Sequence, residues 1–287
     1  MDVSYIIDWI SATNHGVAPN HFRYIYPRIQ NIAEYERTKG LLGYDNVSKH
    51  RTGVLILRST TRGDMGTHMI YSGKSLQRIR ENYSTSAVDV LEYHVRNESK
   101  ISRLDVAIDV FDSKLDIGQL KRAVELGEID TTARKFPYIE DITSGAKTLY
   151  IGSMTHRKKL VRIYDKAKEQ GDMQRDWKRI ELEVHGKPAH TLAKSVVFAN
   201  TASAIAGAIK GYVNFPKNPV WDKIFKDFES FKIGSQDSGD SDTRDWLLNS
   251  VAKTLAKMQV IDDSITSDFM ESVMKHYEVM TRKAGKK

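Results

Sequence analysis

Residues 101–110 read ISRLDVAIDV, and Leu104, Val106, Ile108 and Val110 alternate there with Arg103, Asp105, Ala107 and Asp109. Successive strand residues point to opposite faces, so the segment predicts a β-strand with one apolar face and one charged face. Two later segments repeat the pattern. In LVRIYDK (160–166), Val161 and Ile163 oppose Arg162, Tyr164 and Lys166. In KRIELEVH (178–185), Ile180, Leu182 and Val184 oppose Arg179, Glu181 and Glu183. A single strand of this type is ordinarily half-solvated, and facing Arg and Glu make common cross-strand pairs. In three such strands the apolar faces should rest on the core, and the polar faces, with their gathered acids, would meet if the strands are neighbours in one sheet.

The flanking sequence predicts an α+β fold with a central antiparallel sheet, flanking helices and a helical C-terminal region. Tyr5 to Thr13, Gly53 to Thr60 and Thr67 to Ser72 read as strands, the last two as a hairpin around Arg62-Gly63-Asp64, and Asp45-Asn46 as a loop. Helices are predicted at Leu76 to Asn82, Ala87 to Arg96 and Ile117 to Leu126, from apolar residues at helical spacing. Lys147 to Ser153 and Leu160 to Lys166 form a second hairpin through Thr155-His156-Arg157-Lys158. The Ala-rich stretch from Ala189 to Tyr212 reads as helix, as do Trp221 to Phe231 and Asp245 to Val260, with a linker at Ser235 to Asp242 and a basic tail at Lys283 to Lys287. Three regions result: 1–98, an N-terminal α+β region; 99–215, carrying the charged strands in the same or a continuous sheet; and 216–287, a helical C-terminal region.

Composition narrows the function classes. Cysteine is absent, which excludes disulfides, thiolate metal sites and cysteine nucleophiles and suits a reducing cytoplasm. No apolar run approaches the ~18 residues of a membrane span. Asp2 and Asp8 interrupt the N-terminal apolar stretch, which has no basic lead, so no signal peptide is expected. The net charge of +7 favours a polyanionic partner such as nucleic acid.

The charged faces suggest chemistry. Mg²⁺ or Mn²⁺ takes oxygen ligands that converge on one point. Glu181 and Glu183, about 6.6 Å apart along a strand, can lean toward one ion. Asp105 and Asp109, about 13 Å apart, cannot both bind it directly. Asp105 is favoured, and Asp109 stays open as a ligand or as support from the layer behind. A phenol is a poor nucleophile at neutral pH, but a metal and cations such as Arg162 and Lys166 favour its phenolate. Tyr164 is therefore the candidate nucleophile among the 13 tyrosines. Arg103, Arg179 and the basic turn Arg157-Lys158-Lys159 are candidate DNA contacts, and His156 is a candidate for support of the site. Ser72-Gly-Lys-Ser75 resembles the end of a phosphate-binding loop, but His68 stands where the motif needs glycine, so nucleotide binding is rejected there.

RxDxAxD at 103–109, TLYIGS at 148–153, RIYDK at 162–166 and RIELE at 179–183 occur in this order, with Asp8-Trp9-Ile10 and MGTHMIYSG at 65–73 before them. Together they resemble the replication initiation factor family of bacterial plasmids, phages and integrative elements, over roughly residues 5 to 260. The resemblance implies a relaxase-like endonuclease that nicks one strand at an origin. Such an enzyme stays joined to the 5′ phosphate through tyrosine and frees a 3′-OH for rolling-circle synthesis. It places the nucleophile at Tyr164 and the acids at Asp105, Glu181 and Glu183, and implies a dimer working with a host helicase. None of the nine histidines forms a His-hydrophobic-His metal motif, which agrees with a carboxylate site. Two alternatives share the motifs: a conjugative relaxase of an integrative element, and a DNA-binding regulator without catalysis.

Overall fold

The computed structural model describes residues 1–15, 35–155, 158–231, 233, 259, 262, 264–272 and 274. The chain forms two compact units, Met1–Gly234 and Ser235–Lys287. In the second, Asp262 accepts hydrogen bonds from the backbone N–H (3.0 Å) and hydroxyl (2.8 Å) of Ser264, ahead of a helical segment at 265–272. The linker at Ser235 to Asp242, the stripe at Asp245 to Val260 apart from Gln259, and the tail at Lys283 to Lys287 lie outside the described residues.

The first unit is α+β, built on a ten-stranded antiparallel sheet. In chain order its elements are β1 (Asp2–Asn14), β2 (Tyr35–Thr38), β3 (Asn46–His50), β4 (Leu55–Arg58), β5 (Thr67–Ser72), α1 (Gly73–Tyr83), α2 (Ala87–Arg96) and β6 (Lys100–Phe111). There follow α3 (Ile117–Glu125), β7 (Asp130–Thr131), β8 (Tyr138–Glu140), β9 (Lys147–Ile151), β10 (Lys159–Asp165), α4 (Lys166–Glu169) and β11 (Trp177–His185). Last come α5 (Lys187–Phe198), α6 (Thr201–Tyr212), β12 (Val213–Asn214) and α7 (Pro219–Phe225). The sheet order is β2-β3-β4-β5-β1-β6-β11-β10-β9-β8, and β12 pairs with β7 separately. Strands of 1–98 and of 99–215 thus share one sheet.

The three alternating segments, β6, β11 and β10, are consecutive neighbours. Leu104, Val106, Ile108, Val110, Val161, Ile163, Ile180, Leu182 and Val184 are all fully buried in one apolar cluster with the helices. The helix α5 packs across β6. Fully burying a side chain of this size stabilises by roughly 1.5–3 kcal/mol, so the apolar alternation holds these strands to the helical layer. A smaller cluster of Tyr44, Val47, Leu57 and Ile70, with Trp9 against it, covers the β3–β5 half of the opposite face.

The strand β1 joins the two halves of the sheet, pairing with β5 on one side and β6 on the other. Its register to β6 shifts between Ile7 and Trp9. Such a bulge inserts one residue, so Ile7 and Ile10 both reach the core although an odd number of steps separates them.

Local chemistry explains where elements differ from the sequence reading. Gly53 (φ 93°) sits in a turn closed by His50 N to Val54 O at 2.9 Å, so the strand predicted from Gly53 begins at Leu55. The Ala-rich stretch is two helices: Asn200 caps α6 by accepting from Ser203 N at 3.0 Å. Trp221 to Phe231 is helical only to Phe225, in a helix begun by the Asn218 cap and Pro219. Asn46, read as loop, opens β3. The Ser72-Gly-Lys-Ser75 motif is a helix start, with the Ser72 hydroxyl accepting from Ser75 N. No helix among the described residues is long and apolar enough to cross a membrane.

Leu104 is fully buried in the main apolar cluster. Leu104→Ala is expected to lower unfolding stability by about 2–5 kcal/mol in urea titration.

Candidate active site

The open face of β6, β11 and β10 is a lattice of charged pairs set by register. Across β11 and β6, Glu183 stands opposite Asp105, Glu181 opposite Ala107 and Arg179 opposite Asp109. Across β10 and β11, Arg162 stands opposite Glu181 and Tyr164 opposite Arg179. Asp105, Asp109, Glu181 and Glu183 are each 1–2% exposed. A buried carboxylate requires a hydrogen-bonded partner, and each has one. Arg103 grips Asp105 through Nε (2.9 Å) and Nη2 (2.6 Å) and reaches Glu183 at 3.3 Å. Its guanidinium also lies 4.5 Å from the ring centre of Trp9. Arg162 pairs with Glu181. Arg179 grips Asp109 through Nε (2.6 Å) and Nη2 (2.8 Å) and donates through Nη1 to Asp8 at 3.0 Å. The β1 bulge sets Asp8 there, beside the first turn of α1. A Cβ on Gly73 would lie 2.5 Å from the Asp8 carboxylate oxygen, so this position has no room for a side chain.

The Tyr164 hydroxyl donates to Glu181 Oε2 at 3.0 Å. Burial pushes the phenol well above its ordinary range; the Glu181 charge adds to this and Arg179 opposes it. Arg179 is the cation that most directly opposes this rise, and Arg162, paired with Glu181, also attracts the phenolate charge. Lys166 lies just past the end of β10, at the start of α4, pairs with Glu169 and sits 5.6 Å above the Tyr164 ring.

The other sequence candidates are placed as follows. Asp109 belongs to the Arg179 pair, away from the Arg103–Asp105–Glu183 group. Arg179, a candidate DNA contact, is buried between two carboxylates. Lys159 turns to the helical side, donating to the Ile233 carbonyl at 3.2 Å and lying 5.2 Å from the Tyr212 ring centre, so it does not share the face of Tyr164. Lys158 is exposed at the hairpin end. His156 and Arg157 lie outside the described residues. Two participants were missed. His185 is 2.6 Å from Glu183 Oε1; its position two residues after Glu183 is the signal in the sequence. Asp8 was quoted only as part of a motif, because nothing in the sequence showed a bulge.

Among the described residues no three carboxylate or imidazole side chains converge as a ready metal shell. The donor chemistry still fits a hard divalent ion, since Asp105, Glu181 and Glu183 are oxygen donors on adjacent strand positions. Burial pushes Asp105 up to about 6, against the pull of Arg103 and with help from the Glu181 and Glu183 charges. Carboxylates crowded in this way favour an added cation. In this geometry their oxygens are held by Arg103, Arg162 and His185, which would have to share them with an ion.

A family model described as replication initiation factor matches residues 99–274, more than half of the chain. The chain belongs to the replication initiation factor family. Among solved structures, a rolling circle replication initiator protein from Geobacillus stearothermophilus is 23% identical, with a TM-score of 0.66 over 81% of this chain and 94% of that one. That likeness establishes a shared fold. No curated protein matches the chain. The matched family region contains β6, β10 and β11, and with them the whole acid–arginine lattice except Asp8.

Two outcomes are expected. Arg179→Met leaves Asp109 buried without its guanidinium and should cost about 3–5 kcal/mol in thermal or chemical denaturation. For Asp105 the folded-state value lies above the unfolded one, so the folded chain holds that proton more tightly. Its stabilising contribution is full below the ordinary aspartate range and is lost as pH rises through about 6. Stability measured from pH 4 to 7 should therefore fall less with rising pH in Asp105→Asn than in the wild type.

Proposed function

We propose that the chain is a rolling-circle replication initiator, a nicking and joining endonuclease that attacks origin DNA with Tyr164. The observation that carries this reading is the Tyr164–Glu181 hydrogen bond, buried within the acid–arginine lattice of a chain that belongs to this family. A phenol held above its ordinary range is protonated at neutral pH, so attack requires an acceptor for its proton. Glu181 Oε2 already accepts that hydrogen bond at 3.0 Å.

In the proposed reaction the Tyr164 oxygen bonds to phosphorus and the bond from phosphorus to the 3′ oxygen breaks. The phenol proton passes to Glu181, and the departing 3′ oxygen takes up a proton from solvent water to become a free hydroxyl. The 5′ phosphate stays esterified to Tyr164, so the energy of the phosphodiester is kept for rejoining. Arg179, fixed by Asp109 and Asp8, holds positive charge beside the phenol as it loses its proton. Lys166, over the ring, places a second cation at the strand end where DNA would enter. Asp105, Glu181 and Glu183 would hold Mg²⁺ or Mn²⁺, whose chemistry when bound is to polarise the scissile phosphate and stabilise the charge that develops on it. Origin DNA is the proposed substrate, and a second copy of the chain and a host helicase are proposed partners.

The test is incubation with single-stranded origin DNA and Mg²⁺ or Mn²⁺, followed by a denaturing gel. A covalent protein–DNA adduct is expected with wild type and none with Tyr164→Phe; an undiminished adduct in that variant would remove Tyr164 from the role. Glu181→Ala should reduce cleavage by about 10²-fold or more while DNA affinity changes little. Equal loss of both would assign Glu181 to folding instead.

A further inference from the structure

Beyond Arg179 the same sheet face carries a group that the proposed reaction does not use. Trp177 stands opposite Phe111 across β11 and β6, two residues along each strand from the Arg179–Asp109 pair. Residues two apart on a strand share a face about 6.6 Å apart, and Arg179 is itself opposite Tyr164. The aromatic pair therefore lies on the face of Tyr164, on the side away from Glu181 and Glu183. The two rings are 5.6 Å apart, centre to centre, at an interplanar angle of 30°. The Arg175 guanidinium lies 4.7 Å from the Phe111 ring centre and 5.4 Å from that of Trp177.

An aromatic pair of this size normally belongs to a core. Among the described residues this one packs against neither apolar cluster. Both rings are half-buried, and the buried Trp177 indole nitrogen has no hydrogen-bond partner among the described residues. Arg175 is exposed and makes no ion pair among the described residues. Asp176 accepts from the backbone N–H groups of Ser113 (3.0 Å) and Lys114 (2.9 Å) and pairs with Lys178 at 2.9 Å, tying the approach to β11 onto the end of β6.

We propose that Phe111, Trp177 and Arg175 form a stacking subsite for an unpaired base of single-stranded DNA, next to the phosphate that Tyr164 attacks. Aromatic faces and guanidinium planes both stack on bases, and they do so with little regard to sequence. Arg175 adds positive charge for the adjoining phosphate. A base lodged there holds the strand in place beside the nucleophile, as in-line attack demands. The position beside the scissile phosphate rests on the nicking reading; the capacity to stack a base does not.

The test uses the full chain without divalent metal and an oligothymidylate carrying 5-iododeoxyuridine. Trp177→Ala is expected to bind about tenfold more weakly, and Trp177→Phe, which keeps a stacking ring, within about twofold of wild type. Irradiation of the wild-type complex should cross-link the probe to Trp177 or Phe111, a readout that needs no variant to fold. Cross-links confined to other residues, or Trp177→Ala binding as tightly as wild type, overturn the subsite. Tyr164 adducts are scored separately with metal. Cross-linking at Trp177 without any adduct refutes the nicking reading and leaves the subsite standing; an adduct with no cross-link at either ring does the reverse.

Discussion

Four carboxylates stripped of water on one sheet face dictate how this part of the molecule is built. Asp105, Asp109, Glu181 and Glu183 are almost wholly buried, and none tolerates that without a partner. Arg103, Arg162 and Arg179 meet the requirement from adjacent strand positions. The same requirement locks strand register. A slip of β11 by one residue against β6 would carry Glu181 and Glu183 to the helical side and Ile180, Leu182 and Val184 to the open side. The residues proposed for catalysis are thus the ones that make the pairing of these strands unambiguous.

Along the open face the character changes in steps. The β3–β5 half is closed by the small apolar cluster with Trp9 at its margin. Next comes the Arg103–Asp105–Glu183 group, then Glu181 with Arg162 and Tyr164, then Arg179 with its two carboxylates, and finally the Phe111–Trp177 pair. Tyr164 sits where excess negative charge gives way to a buried cation. That placement keeps its phenol protonated at rest and gives the proton one direct acceptor. Lys166 and Arg175, past the ends of the strands, put positive charge at the rim of this face.

Much of this was legible because alternation reports directly which side of a strand each residue occupies. Leu104 through Val110, Val161 with Ile163, and Ile180 through Val184 all lie on the side their spacing implied. Alternation says nothing of which strands are neighbours, so the partner of each acid had to come from register. Glu181 could be grouped with Asp105 and Glu183 by chemistry, but not recognised as the hydrogen-bond acceptor of the Tyr164 hydroxyl. Short strands such as β2, β3 and β8 carry too few residues to show a period. Arg179 read as an outward base because its two partners, Asp8 and Asp109, come from strands far away in sequence. Phe111 and Trp177 carry no signal in the sequence because an aromatic residue at a strand end is common, and only the packed structure shows that, among the described residues, neither packs against an apolar cluster.

The bulge between Ile7 and Trp9 acts as a phase shift in β1. Before it, Ile7 is in step with the core; after it, Ile10 and Ala12 are in step only because one extra residue has been counted. Asp8 occupies that extra count, which is why a carboxylate from the first strand can stand against Gly73 and reach Arg179 on the other side of β6. Lengthening or shortening the chain by one residue at this point would throw half of β1 out of phase. The apolar residues on one side of the change would then compete with those on the other for the same core. The N-terminal strand is therefore an intolerant place for insertions despite lying at the chain end, and its tolerance is set by the pairing of a buried arginine some 170 residues later.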